Sequence, residues 1–222
     1  MRKSIRLLVP LAAAAVVALP VTAAQASAAP ASARHAGYGH AHHYKAWLKP
    51  IWINHSWAWG WASVTLRGRH ANVRVHAWGL PRGLPHAQHI HIGGRGVCPT
   101  PKAASRHNGH RIITVSDGAP AYGKIGTSLT TKGDTSPASG LAVTRFPTAP
   151  HGYVSYHRDI KVSSAVAWKI RHHRSVIVLH GVDYNHNGKY DFVLGKSDLD
   201  PKLPQEATAP AACGPLRNLG WW

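Results

Sequence analysis

A chain of 222 residues is long enough for one substantial domain with its own core, and too short for two once its tails are set aside. Its 26 Lys and Arg stand against 8 Asp and Glu, a formal charge of +18, and 18 His add positive charge in acid. This excess predicts salt-sensitive attraction to polyanions such as anionic cell-wall polymers, while the lack of helix-turn-helix, zinc-finger or RNA-recognition signatures argues against specific nucleic-acid binding.

Residues 1–28 read as a secretory signal. Arg2, Lys3 and Arg6 precede an apolar run from Leu7 to Val21, and small residues follow, with cleavage expected at Ala24-Gln25-Ala26 or Ala26-Ser27-Ala28. The run is short and broken by Pro10 and Pro20, so release is expected rather than a transmembrane anchor, giving a secreted, extracellular or cell-wall-associated protein. Residues 29–50, rich in Ala, Gly and His (His35, His40, His42, His43), read as a disordered arm in which nothing fixes a metal site. A single folded domain is then expected over residues 51–222.

The alternation Trp57-Ala58-Trp59-Gly60-Trp61 has the period of a strand, continuing through Val64-Thr65-Leu66. Gly68-Arg69-His70 turns the chain into a second alternating run, Val73 to Trp78, which predicts a hairpin. The tryptophans fit core or cross-strand packing, with stacking on sugar rings as the alternative. After the turn residues Gly79 to Pro85 comes His86-Ala87-Gln88-His89-Ile90-His91. In an extended strand His89 and His91 share one face and Ile90 takes the other, so two imidazoles can share a metal, whereas His86 falls on the face opposite His89.

Further strands are expected at Gly126 to Thr131, Leu141 to Phe146, Tyr153 to Val162 and Val176 to Leu179, with a short helix from Ser163 to Ile170 capped by Ser163. Many short strands with little helix predict an all-β sandwich or barrel. Cys98 and Cys213 are the only cysteines, and in an exported chain they predict one disulfide closing a loop of more than a hundred residues. No nucleophile elbow, phosphate loop or His-Glu-x-x-His helix is present, so no hydrolase chemistry is supported and no catalytic residue is assigned.

Asp183-Tyr184-Asn185-His186-Asn187-Gly188-Lys189-Tyr190-Asp191 has oxygen ligands at the spacing of a calcium loop. Asp183, Asn185 and Asn187 would bind through side chains, Lys189 through its carbonyl, and Asp191 directly or through water. Leu194 stands where an EF-hand needs glutamate, and the alternative is an Asn- and Gly-rich turn. Five of the eight acids lie between Asp183 and Glu206, which favours calcium in this basic chain.

The segment Gly83 to His91 resembles the copper-zinc superoxide dismutases, whose His-x-His pair binds copper. Cys98, Val178-Leu179-His180 and Ala212-Cys213-Gly214 are similar to that family's loop cysteine, later copper strand and C-terminal cysteine turn, in the same order over about residues 60 to 216. The same residues resemble still more closely the chordin-type CHRD domain of secreted bacterial proteins, which shares that fold. The resemblance implies a superoxide-dismutase-like Greek-key β-sandwich or flattened barrel with a short helix and long loops. It also implies copper on His89, His91 and His180, with His107 or His110 as additional ligands.

Two departures argue against full dismutase chemistry. Ser116-Asp117-Gly118 lacks the histidine of that family's zinc segment, so a complete zinc site is not expected, and Thr208 to Cys213 lacks its guiding arginine. The expected function is therefore a secreted CHRD-like binding or structural module carrying copper and calcium rather than an enzyme. A copper-dependent superoxide dismutase and a cell-surface polyanion-binding protein are the alternatives.

Overall fold

In a computed structural model describing residues 40–218, the chain is all-β with short helices. The strands are β1 (His42–Pro50), β2 (Trp59–Arg67), β3 (His70–Trp78), β4 (Gln88–Gly93), β5 (Ser105–His107), β6 (His110–Ile112), β7 (Gly123–Ser128), β8 (Val154–Lys161), β9 (Ser175–His180), β10 (Pro210–Pro215) and β11 (Arg217–Asn218). The helices are α1 (Val115–Tyr122), α2 (Ser164–Arg171) and α3 (Gln205–Thr208). The signal expected over residues 1–28, and His35, lie outside the described residues.

The main sheet is antiparallel throughout and runs β7-β4-β9-β10-β1-β2-β3-β8, with β11 also paired to β1. After the meander β1-β2-β3 the chain crosses to β4, returns to β8 and crosses again to β9, which are Greek-key jumps. The sheet curls into a half-barrel around one apolar core. Val64, Val73 and Tyr156 enter it from one half, and Ile90, Ile177 and Leu179 from the other. Burial of side chains this size contributes roughly 1.5–3 kcal/mol each, which makes this core the main stabilising element.

A smaller core lies on the opposite side of β9, where Val176 and Val178 meet Ile51, Ile113, Val115 and Tyr122. The segments joining the strands therefore cover the second half of the sheet from outside. Asn54, fully buried, holds part of this cover: its amide donates to the carbonyls of Ile113 (2.8 Å) and Pro210 (2.9 Å) and its oxygen accepts from the Ile113 N–H (2.8 Å).

Two expectations need correction, and one helix had no counterpart among them. The arm expected over residues 29–50 runs too far, because residues 42–50 form β1. Tyr44, Ala46 and Leu48 alternate into the core while His43, Lys45 and Lys49 face outward and mask the pattern, so the folded domain begins before residue 51. The strand expected at Leu141 to Phe146 is instead a 3-10 turn at Val143–Arg145, with Arg145 N–H bonded to Ala142 O at 2.8 Å. The helix α1 was not legible through Gly118 and Pro120, but Thr114 and Asp117 start it with a reciprocal capping box. By contrast α2 begins as expected, with Ser163 accepting the Val166 N–H at 3.1 Å.

Cys98 and Cys213 form the disulfide, with Cα atoms 5.7 Å apart across 115 residues, and it fastens the covering segment to β10. Chain-entropy arguments put the constraint at about 4–5 kcal/mol. Replacing both cysteines by serine is expected to lower unfolding free energy by that order in urea titrations. A loss under about 1 kcal/mol would show that the unfolded chain gains little freedom when the bridge is removed.

Candidate metal centre

The strand β4 is buried on both faces, so its alternation separates two environments. Ile90 enters the main core, while His89 and His91 point outward beneath the covering segments. The neighbouring strand β9 alternates in step, pairing Val178 with His89 and Val176 with His91, and ends at His180. The three imidazoles are buried, with ring centroids 5.0–5.7 Å apart, and each offers one nitrogen within 4.8 Å of the others.

Each ring has one nitrogen on a backbone carbonyl: His89 Nε2 on Gly140 O (3.1 Å), His91 Nδ1 on Gly123 O (2.9 Å) and His180 Nδ1 on Thr208 O (2.7 Å). A carbonyl only accepts, so those nitrogens carry the protons and the tautomers are set. The remaining nitrogens, His89 Nδ1, His91 Nε2 and His180 Nε2, are buried with no hydrogen-bond partner. Unpaired buried polar atoms cost free energy, and three of them converging is the arrangement a metal ion satisfies.

Burial drives all three away from the charged form. His89 is pushed well below the ordinary histidine range, His91 down to about 3 and His180 down to about 4, and mutual repulsion of the imidazolium forms adds to the effect on His89 and His91. At neutral pH the lone pairs are available for a cation. Gly123 is required at its position: its φ is +91°, and a Cβ there would run into the Ile92 carbonyl.

Access to the centre is mostly apolar. A cavity of 370 Å³ borders His91 and is lined largely by Val115, Ala119, Ile125, Pro137 and Leu199, with Lys124 its sole cation. A recess of 10 Å³ borders His89 and His180 and shares Val115, Ile125 and Leu199. Tyr122 stands edge-on to His91 at 4.6 Å, and Phe146 edge-on to His89 at 5.3 Å.

The other expected ligands lie elsewhere. His107 and His110 pair across the β5–β6 hairpin, which aims His107 at Asp117 (3.5 Å) and His110 at the Tyr184 ring (5.0 Å), so neither completes the trio. Among the described residues no fourth His, Cys, Asp or Glu joins the three histidines. His86 is buried outside the centre, with Nδ1 on His180 O (3.0 Å) and Nε2 on Pro81 O (3.1 Å).

The loop expected to bind calcium is a turn closed on itself. Asp183 accepts N–H bonds from Asn187 (2.9 Å) and Gly188 (2.8 Å), Asn187 accepts from the Lys189 N–H (3.1 Å), and Asp191 takes the amides of Asn185 and Asn187. The buried carboxylate of Glu206 ties both ends by accepting from Tyr184 N–H (2.6 Å) and Asp191 N–H (2.7 Å).

Gly123, Gly140, Thr208 and Asn54 are the supports that sequence reasoning missed, since a carbonyl anchor carries no side-chain signature. No family model matches the chain, and no curated protein matches it.

The pKa shifts set a direction for stability. As pH falls below about 6.5 the unfolded chain takes up protons that folded His91 and His180 resist down to about 3 and 4, so their contribution to stability is constant above this window and lost within it. The effect is on the order of 3 kcal/mol for His180 alone. Urea midpoints of the metal-free chain are expected to fall steadily between about pH 6.5 and 4. A flat profile there would mean that the buried imidazoles protonate as readily as exposed ones.

Proposed function

We propose that this chain is a secreted, disulfide-stabilised module of the CHRD type that holds one copper ion on His89 Nδ1, His91 Nε2 and His180 Nε2. The observation that carries this reading is the set of three unpartnered, converging imidazole nitrogens whose partner nitrogens are fixed by carbonyls. Neutral imidazoles suit copper, and copper heads the affinity order of divalent first-row metals for such donors. The Greek-key strand order and the disulfide support the family resemblance and an oxidising compartment.

Binding rather than dismutation is favoured by the surroundings. A superoxide-consuming site gains from a path that draws in an anion, and the cavity bordering His91 is lined mainly by apolar side chains. Bound copper would supply one-electron redox chemistry. The residues of this chain orient the three donors, keep them unprotonated and restrict water.

Metal-free protein loaded with copper and dialysed is expected to retain about one ion through this site, measured as the difference from His89→Ala/His91→Ala by elemental analysis. The comparison subtracts copper on the His-rich N-terminal segment. Superoxide disappearance is expected to be no faster with wild type than with that variant. Equal retention by the two proteins would remove the copper reading, and site-dependent dismutation would replace the binding module with the enzyme.

A further inference from the structure

The outer face of β1, β2 and β3 lies in the other half of the sheet and has no part in the metal centre. The strand register sets aromatic rings opposite one another across it, Trp47 with Trp61, Trp61 with His76, and Trp59 with Trp78. The rings are in contact: Trp59 and Trp78 stack at 5.0 Å, Trp61 and His76 lie 4.4 Å apart, and Trp78 meets Tyr153 at 4.9 Å. Trp52 and Trp57, between β1 and β2, meet edge to face at 4.8 Å. Despite these contacts Trp47, Trp52, Trp57 and Trp59 remain 56–64% exposed. Exposed aromatic surface on this scale marks an interaction site.

Cations border it. The Lys45 ammonium lies 4.0 Å from the Trp47 ring centre and 5.6 Å from that of Trp61. Lys45, Lys49 and Arg217 line a groove of 410 Å³ that runs past Trp47 and the Cys98–Cys213 bridge, and no acidic side chain lines it. The groove suits an anionic group set beside a ring that stacks.

We propose that this aromatic face and its basic groove bind an acidic polysaccharide, sugar rings packing on the exposed tryptophans and carboxylate or sulfate groups meeting Lys45, Lys49 and Arg217. Charge complementarity selects an anion, and the aromatic composition selects the rings. Every large hydrophobic side chain exposed on β1, β2, β3 and β8 is Trp, with no exposed Leu, Ile, Val or Phe to enter acyl chains. Indole rings offer the flat apolar faces and polar edge that sugar rings use. The disulfide places the partner outside reducing compartments, which favours a surface glycan over nucleic acid.

The test titrates the full chain, in 0.15 M salt, with sodium polygalacturonate and with polyacrylate, a polyanion without rings. Calorimetry is expected to show polygalacturonate binding at least about tenfold tighter per carboxylate. Trp47→Ala/Trp59→Ala should remove that advantage, and Trp47→Tyr/Trp59→Tyr should keep most of it; both sites are exposed, and melting curves verify folding. Lys45→Ala/Lys49→Ala should weaken binding and flatten its salt dependence. Equal affinity for the two polymers, or an unchanged alanine variant, overturns the proposal. So does tighter Trp-dependent binding to poly(dT), which would assign the face to nucleic acid, or to phosphatidylglycerol vesicles, which would assign it to membranes.

Discussion

The alternation of β4 between two buried faces is the constraint on which the rest depends. Ile90 belongs to the main core, and the histidines on either side of it belong to a second interior. A slip of one residue against β9 would place imidazoles among Val64, Val73 and Leu179 and send Ile90 to the metal centre. The outer face must also be covered, because Val176, Val178 and three imidazoles stand on it. Long connections between the strands follow from that need. These connections supply the carbonyls of Gly140 and Thr208 and the start of β7 supplies that of Gly123, so the imidazoles are oriented only when all three parts are in place.

The cover contains little regular structure and depends on polar ties. Asn54 binds it through three hydrogen bonds, Asp198 accepts the Ser116 N–H at the start of α1 (2.7 Å), and Glu206 gathers the 183–191 turn. Burial and the nearby charges of Asp191 and Asp183 raise the Glu206 pKa, while the two N–H groups it accepts from oppose that rise. Each tie places a polar atom where water would otherwise be needed. The three free imidazole nitrogens are the contrast: in the metal-free chain they are a cost, and a bound cation would convert them into a source of stability. Folding of the cover would therefore be coupled to binding of a cation at the three histidines.

The legible part of this architecture was written in periodicity. The period of two in Val73 to Trp78 and in Gln88 to His91, and the apolar run Val176 to Leu179, mark three strands and put His89 and His91 on one face. β1 was hidden because outward His and Lys give it the composition of a solvated tail, although Tyr44, Ala46 and Leu48 carry the strand period. At the centre the histidine trio could be assembled from the family resemblance. Its supports could not, because a carbonyl is present at every residue and only the fold selects Gly140, Gly123 and Thr208. His107 and His110 were misplaced for the same reason: ligand spacing along the chain says nothing about where a two-stranded hairpin points.

The charge excess takes on meaning from where the cations sit. At the level of composition, +18 fits equally well with steering an anionic substrate to a metal and with holding an anionic polymer. The cavity next to His91 has one cation, Lys124, among mainly apolar neighbours, whereas the groove beside Trp47 has three and no acid. Lys45 and Lys49 alternate with Trp47 on one face of β1 because its other face is committed to Tyr44, Ala46 and Leu48. The same alternation that builds the core thus spaces charge and ring together on the outside. It gives the two halves of the sheet different chemistry, neutral and enclosed around the histidines, cationic and open around the tryptophans.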